Sequence, residues 1–69
     1  MSDAKLRRAI EILRAKYKPD WTLEEIAQRC ALDRRVFNSA NPKAETLWRI
    51  AEVMGVPVTV LVATMEGIQ

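Results

Sequence analysis

Thr22-Leu23-Glu24-Glu25-Ile26-Ala27-Gln28-Arg29-Cys30-Ala31-Leu32-Asp33-Arg34-Arg35-Val36-Phe37-Asn38-Ser39 holds two helix starts separated by a turn of about three residues, which leaves room only for a sharp corner. Thr22 followed by Glu25 three positions on reads as a capping box. The hydroxyl and the carboxylate each accept from a backbone N–H that has no partner at the start of a helix. Trp21 and Ile26 flank this start as a hydrophobic staple that fixes the entry of the chain. Asp33 caps the second start in the same way, with Leu32 and Phe37 as its staple. Beyond the corner the outward face carries Arg34, Arg35, Asn38 and Ser39, side chains suited to phosphates and base edges.

Upstream, Leu6, Ala9, Ile10, Leu13 and Tyr17 recur at helical spacing between charged residues and predict a first helix from Ala4 to about Tyr17. Pro19 blocks its continuation, and Lys18-Pro19-Asp20-Trp21 reads as a loop. The second helix is expected from Leu23 to about Ala31, burying Ile26, Ala27 and Cys30; the third turns Val36, Phe37 and Ala40 inward. Ala27 suits a steep crossing, where a large side chain would push two helices apart. Asn41-Pro42 ends the third helix, because proline disfavours helical geometry in the residue before it. Leu47, Ile50, Ala51 and Met54 form one stripe of a fourth helix, which Gly55 is placed to end in a left-handed conformation. Trp48 lies beside that stripe, either covering a core edge or meeting a second subunit.

The tail from Val56 to Met65 reads two ways. Its β-branched residues and near-alternation favour a strand, whereas Pro57 at a first turn favours a fifth helix. Either form holds more apolar surface than so small a domain covers, which points to a subunit contact. Glu66 to Gln69 are expected to fray.

At 69 residues the chain (residues 1–69) is one small domain, whose core alone rarely supplies more than about 3–5 kcal/mol. Self-association would add to it. A hydrophobic share of 49% with 29% charged residues belongs to a folded chain and not to a disordered one. The net charge of +2 is too small to name a partner, yet the front is basic: Lys5, Arg7, Arg8, Arg14, Lys16 and Lys18 stand against Asp3 and Glu11. With one cysteine and no histidine, neither an internal disulfide nor a Cys/His zinc site is expected, and Cys30 on an apolar stripe reads as a buried, inert thiol. No apolar run approaches the roughly 20 residues of a membrane span, and Met1-Ser2-Asp3-Ala4 lacks the apolar segment of a secretory signal. A cytoplasmic protein without a membrane partner is the expectation. The carboxylates are scattered and no glycine-rich phosphate loop is present, so neither enzyme activity nor a cofactor is expected.

The order of these signals resembles the helix-turn-helix domains of phage Cro and repressor proteins and their bacterial relatives, including the DNA-binding antitoxins of toxin–antitoxin operons. The resemblance covers about Leu6 to Val62. It rests on Thr22-Leu23-Glu24-Glu25-Ile26-Ala27, on Leu32 and Phe37 around the turn, and on Pro42 followed by Thr46-Leu47-Trp48-Arg49-Ile50-Ala51-Glu52-Val53-Met54-Gly55-Val56. It implies an all-α, compact five-helix, lambda-repressor-like helix-turn-helix domain, its last element open between helix and strand. Three departures stand out. Leu23 occupies a position where the family often has a DNA-contacting glutamine. Ala31 replaces the usual turn glycine, which requires either a left-handed alanine or an altered corner. The chain between Phe37 and Pro42 is several residues short, so the third helix or its following loop is trimmed and the docking angle can differ.

The resemblance further implies that the third helix enters the major groove of double-stranded DNA, with Arg34, Arg35, Asn38 and Ser39 toward base edges. Thr22, Gln28 and Lys43 are the phosphate-contacting candidates. Arg7, Arg8 and Arg14 either raise the local potential or form an ordinary solvated face. The plain alternatives are a solvated surface for the base-reading set and simple capping for Thr22. The expected function is a small sequence-specific transcriptional regulator, a repressor that binds a palindromic operator as a homodimer, and autoregulation of a phage-type or toxin–antitoxin-type operon rests on the resemblance alone. The rival class is a protein-interaction module of the same fold that binds a cognate toxin or a polymerase.

Overall fold

The computed structural model describes residues 4–39 and 41–68. It is all-α: α1 (Lys5–Tyr17), α2 (Leu23–Arg29), a short 3-10 helix (Arg34–Asn38), α3 (Ala44–Met54) and α4 (Val58–Glu66), with no strand among the described residues.

Each element has a local cause. α1 buries Leu6, Ala9, Ile10 and Leu13 on one side, as its apolar spacing dictates. α2 opens with the full capping box: Thr22 Oγ1 accepts from the Glu25 amide at 3.1 Å, and Glu25 Oε1 accepts from the Thr22 amide at 3.3 Å. It ends two residues before the expected limit, in a turn where the Leu32 amide reaches back to the Ala27 carbonyl at 2.9 Å and the Ala31 amide to Gln28 at 3.0 Å. That pairing requires a left-handed residue, and Ala31 supplies it at φ +57°. The same closure ends α3, where Gly55 sits at φ +74° and the Val56 amide meets the Ala51 carbonyl at 3.0 Å. The alanine therefore adopts the left-handed corner, one of the two possibilities that the sequence leaves open.

Two expectations change. The predicted third α-helix is a 3-10 helix of 5 residues. Asp33 starts it, but Ser39 is already extended at φ −66° and ψ 136°, and Pro42 follows, so too few residues remain to close an α-helical ladder. Ala40, expected on the inward side of that helix, lies outside the described residues. The tail resolves as the helix α4: the Pro57 carbonyl accepts from the Val60 amide at 2.9 Å and from the Leu61 amide at 3.3 Å, with the proline φ of −62° already suited to a helix start. Expected fraying from Glu66 onward gives way to a held end. Ile68 is 8% exposed in the core and its amide bonds to the Met65 carbonyl at 3.2 Å, while Gln69 lies outside the described residues.

The core lies where α1, α2 and the 3-10 helix on one side meet α3 and α4 on the other, centred on Ile10, Ile26, Phe37, Ile50, Met54 and Leu61. Ala27, 2% exposed, occupies a buried position of α2 where a larger side chain would overfill the packing. No single described helix is long and apolar enough to cross a membrane.

Candidate nucleic-acid interface

The 3-10 helix is pinned by Asp33. Its Oδ1 accepts from the Arg35 amide at 2.9 Å, so the carboxylate caps the first turn. The same carboxylate holds the Arg35 guanidinium, with Nε donating to Oδ1 at 3.4 Å and Nη2 to Oδ2 at 3.2 Å. Hydrogen bonds from the Arg35 side chain, then from its amide, hold the Asp33 carboxyl below the usual aspartate range. The reciprocal bonds raise the Arg35 guanidinium, which is already a permanent cation. The Arg35 side chain is 90% exposed, so it stands in water with its direction biased by one neighbour and not packed down.

Three residues per turn decide which side chains align along this segment. In a 3-10 helix, residues i and i+3 eclipse. Arg35 and Asn38 therefore share one line, and both are exposed. Arg34 instead falls in line with Phe37, which is fully buried. Arg34 is itself exposed and borders an open groove of about 570 Å³ with Glu11 and Arg14 of α1 and Thr22, Leu23 and Glu24 at the start of α2. The two arginines expected to act as one set thus serve different surroundings. Ser39 is half-buried and faces a second groove, of about 320 Å³, shared with Val36, Asn41, Pro42, Lys43 and Thr46. Lys43, at the N-cap position of α3, is brought to Ser39 by that groove.

The remaining candidates are less favourably set. Thr22 is exposed, but its hydroxyl and amide are both engaged with Glu25, and Glu24 and Glu25 place two carboxylates on the first turn of α2. An anion there meets like charge. Gln28 is exposed on α2, clear of both grooves.

A cation-rich corner next to the candidate surface escaped the sequence reading. The Trp21 ring has two cations over it, Lys18 Nζ at 4.9 Å and Arg29 Cζ at 4.3 Å from its centre. Arg14 Nη1 donates to the Trp21 carbonyl at 2.9 Å and to the Pro19 carbonyl at 3.3 Å, which ties the loop after α1 to that helix. Trp21 within three residues of Lys18 was a visible signal; Arg29, a whole helix away, was not. Cys30 is buried at 1% exposure, and loss of hydration raises its thiol above the usual range, an effect that the nearby Arg49 charge partly offsets. Among the described residues no cluster of three or more potential metal ligands occurs.

Comparison of the chain with protein-family models, with curated proteins and with solved structures finds no match.

Proposed function

We propose that this chain is a sequence-specific, double-stranded-DNA-binding regulator of transcription that represses by occupying its operator. In this reading the 3-10 helix takes the place of the third helix in a five-element helix-turn-helix domain. The observation that carries it is the alignment of Arg35 with Asn38 on a capped, outward segment directly after a sharp corner. Arginine presents a planar fork to the two guanine acceptors of the major groove, and asparagine matches the donor and acceptor of adenine. Lys43 and Ser39 flank this line as backbone or edge contacts, and Arg34 reaches toward phosphate from the opposite groove. Gln28 is a secondary phosphate contact in the same reading, whereas the Thr22 end of α2, with its groups engaged by Glu25 and two carboxylates in its first turn, is left out of it.

One such short segment reads few base pairs. A symmetric pair on a palindromic operator doubles the contacts, with half-sites about one helical turn apart. Repression by occupancy needs no further domain, and control of its own operon follows from the family resemblance. Duplex from immediately upstream of the chain's own gene tests the reading in a band-shift assay. Retention of that duplex in the presence of excess random DNA supports it; equal competition by random DNA removes the sequence-specific part.

A protein-binding role is the second reading, favoured by one observation: Trp48 is 62% exposed. Salt separates the two. Phosphate contacts weaken binding steeply as salt rises, with a log–log slope of about −0.9 per neutralised phosphate, whereas an apolar contact hardly responds.

A further inference from the structure

Both oxygens of the Asp33 carboxylate are turned to Arg35. Oδ1 accepts from the Arg35 amide at 2.9 Å, which completes the cap, and the carboxylate also holds the side chain, through Nε at 3.4 Å and Nη2 at 3.2 Å. A cap needs only the first of these bonds, and asparagine or serine would supply it as well, so capping does not account for the negative charge. Stability does not account for it either, because a pair whose side chains are 90% and 56% exposed contributes little to folding.

The edge of the guanidinium that Asp33 engages has a consequence for binding. Arginine carries five N–H donors fixed in one plane. Asp33 takes the Nε–Nη2 edge, and the end formed by Nη1 and Nη2 keeps two parallel donors pointing away from the carboxylate. That fork matches the O6 and N7 acceptors of guanine. Charge acts in the same direction. A phosphate attracts a free guanidinium whatever the sequence, but beside Asp33 it meets a carboxylate at nearly the same distance, and the two charges largely cancel. A guanine edge is uncharged and has only the fork to meet.

We infer that Asp33 is a specificity-determining positioning residue, which aims the Arg35 fork at a guanine edge and withholds Arg35 from the phosphate backbone. Discrimination gains from an element that repels the wrong partner as much as from one that attracts the right one. Arg34 shows the contrast: it is exposed, forms no ion pair among the described residues and stays available to phosphate. The inference rests on the DNA-binding reading and deepens it, by naming the residue that makes one of two adjacent arginines a base reader.

Titrations of the full chain against labelled duplex from upstream of its own gene, and against random duplex of equal length, test it with Asp33→Asn and Asp33→Ser beside the wild type. Both variants keep a capping oxygen and remove the charge. Each is expected to bind random duplex about fivefold more tightly at about 0.1 M salt, with a log–log slope steeper by about 0.9, since Arg35 becomes free to neutralise one more phosphate. Preference for the upstream duplex is expected to fall by a similar factor. In an Arg35→Ala background the same substitutions should leave the slope nearly where it was, because the effect runs through Arg35. A merely structural cap would behave otherwise, weakening both duplexes together at an unchanged slope. That result, a preference that both variants retain in full, or an equal change in the Arg35→Ala background overturns the inference and leaves the DNA reading standing. A wild type that does not distinguish the two duplexes overturns both.

Discussion

Arg35 combines near-complete exposure with a fixed neighbour, and that combination sets what its removal does. If it reads a guanine, Arg35→Ala costs about 1–3 kcal/mol of specific binding and relaxes preference at one base pair. Competition titrations with substituted operators check this, and equal loss on operator and random duplex would make it a phosphate contact instead. Asp33 is the counterpart. Its folded carboxyl lies below the ordinary aspartate range, so its contribution to folding is complete above the unfolded value of about 3.9 and is lost as pH falls through the lower folded value. An NMR titration of the Asp33 carboxyl should therefore show its midpoint below that of a model aspartate, with the Arg35 amide resonance moving in step. A midpoint at the model value would mean that the cap does not persist in solution. Ala31 is the strained residue. A left-handed non-glycine residue costs about 1–2 kcal/mol, and glycine returns part of the gain through the flexibility of its unfolded chain. Ala31→Gly should stabilise the domain by about 0.5–1 kcal/mol in a denaturant titration. No stabilisation would argue against the left-handed corner.

At the scale of elements, α1 and α3 were legible because each carries a clean apolar stripe, and the start of α2 because Thr22 and Glu25 spell a capping box. Thr22→Ala should cost about 1 kcal/mol in thermal or denaturant unfolding, with Thr22→Ser close to neutral because the hydroxyl remains. The same loss in both would assign the effect to the threonine methyl and not to the cap. The 3-10 helix was only half legible. Asp33 announced where it begins and the short run to Pro42 announced trimming, but local signals do not distinguish one α-turn from a 3-10 turn when the outcome depends on where Phe37 must sit in the core. That distinction shapes the site, since a 3-10 period sets Asn38 directly in line with Arg35, where an α-helical period would leave the two about 60° apart. α4 was ambiguous for a different reason. A run of valines and threonines favours a strand in isolation, and what overrides it is packing of Leu61 against α1 and α3 together with the preset geometry of Pro57.

Over the whole molecule, the small core imposes a division of surfaces. The corner formed by α1, α2 and the 3-10 helix gathers cations: Arg34 and Arg35, the Arg14 clamp, and Lys18 and Arg29 over the Trp21 ring. The α3–α4 side carries an apolar groove and the exposed indole. The first surface is densely charged and the second is largely apolar. The same corner also carries Glu11, Glu24, Glu25 and Asp33, so a polyanion approaching it meets charges of both signs at close range.

The most direct measurement is a fluorescence-anisotropy titration of the full chain against labelled duplex from upstream of its own gene and against random duplex, at salt concentrations between about 50 and 200 mM. The account predicts tighter binding to the upstream duplex at every salt concentration. It also predicts a log–log slope of several times −0.9 and loss of the sequence preference in Arg35→Ala. Binding that is absent, indifferent to salt, or equal on both duplexes would contradict it.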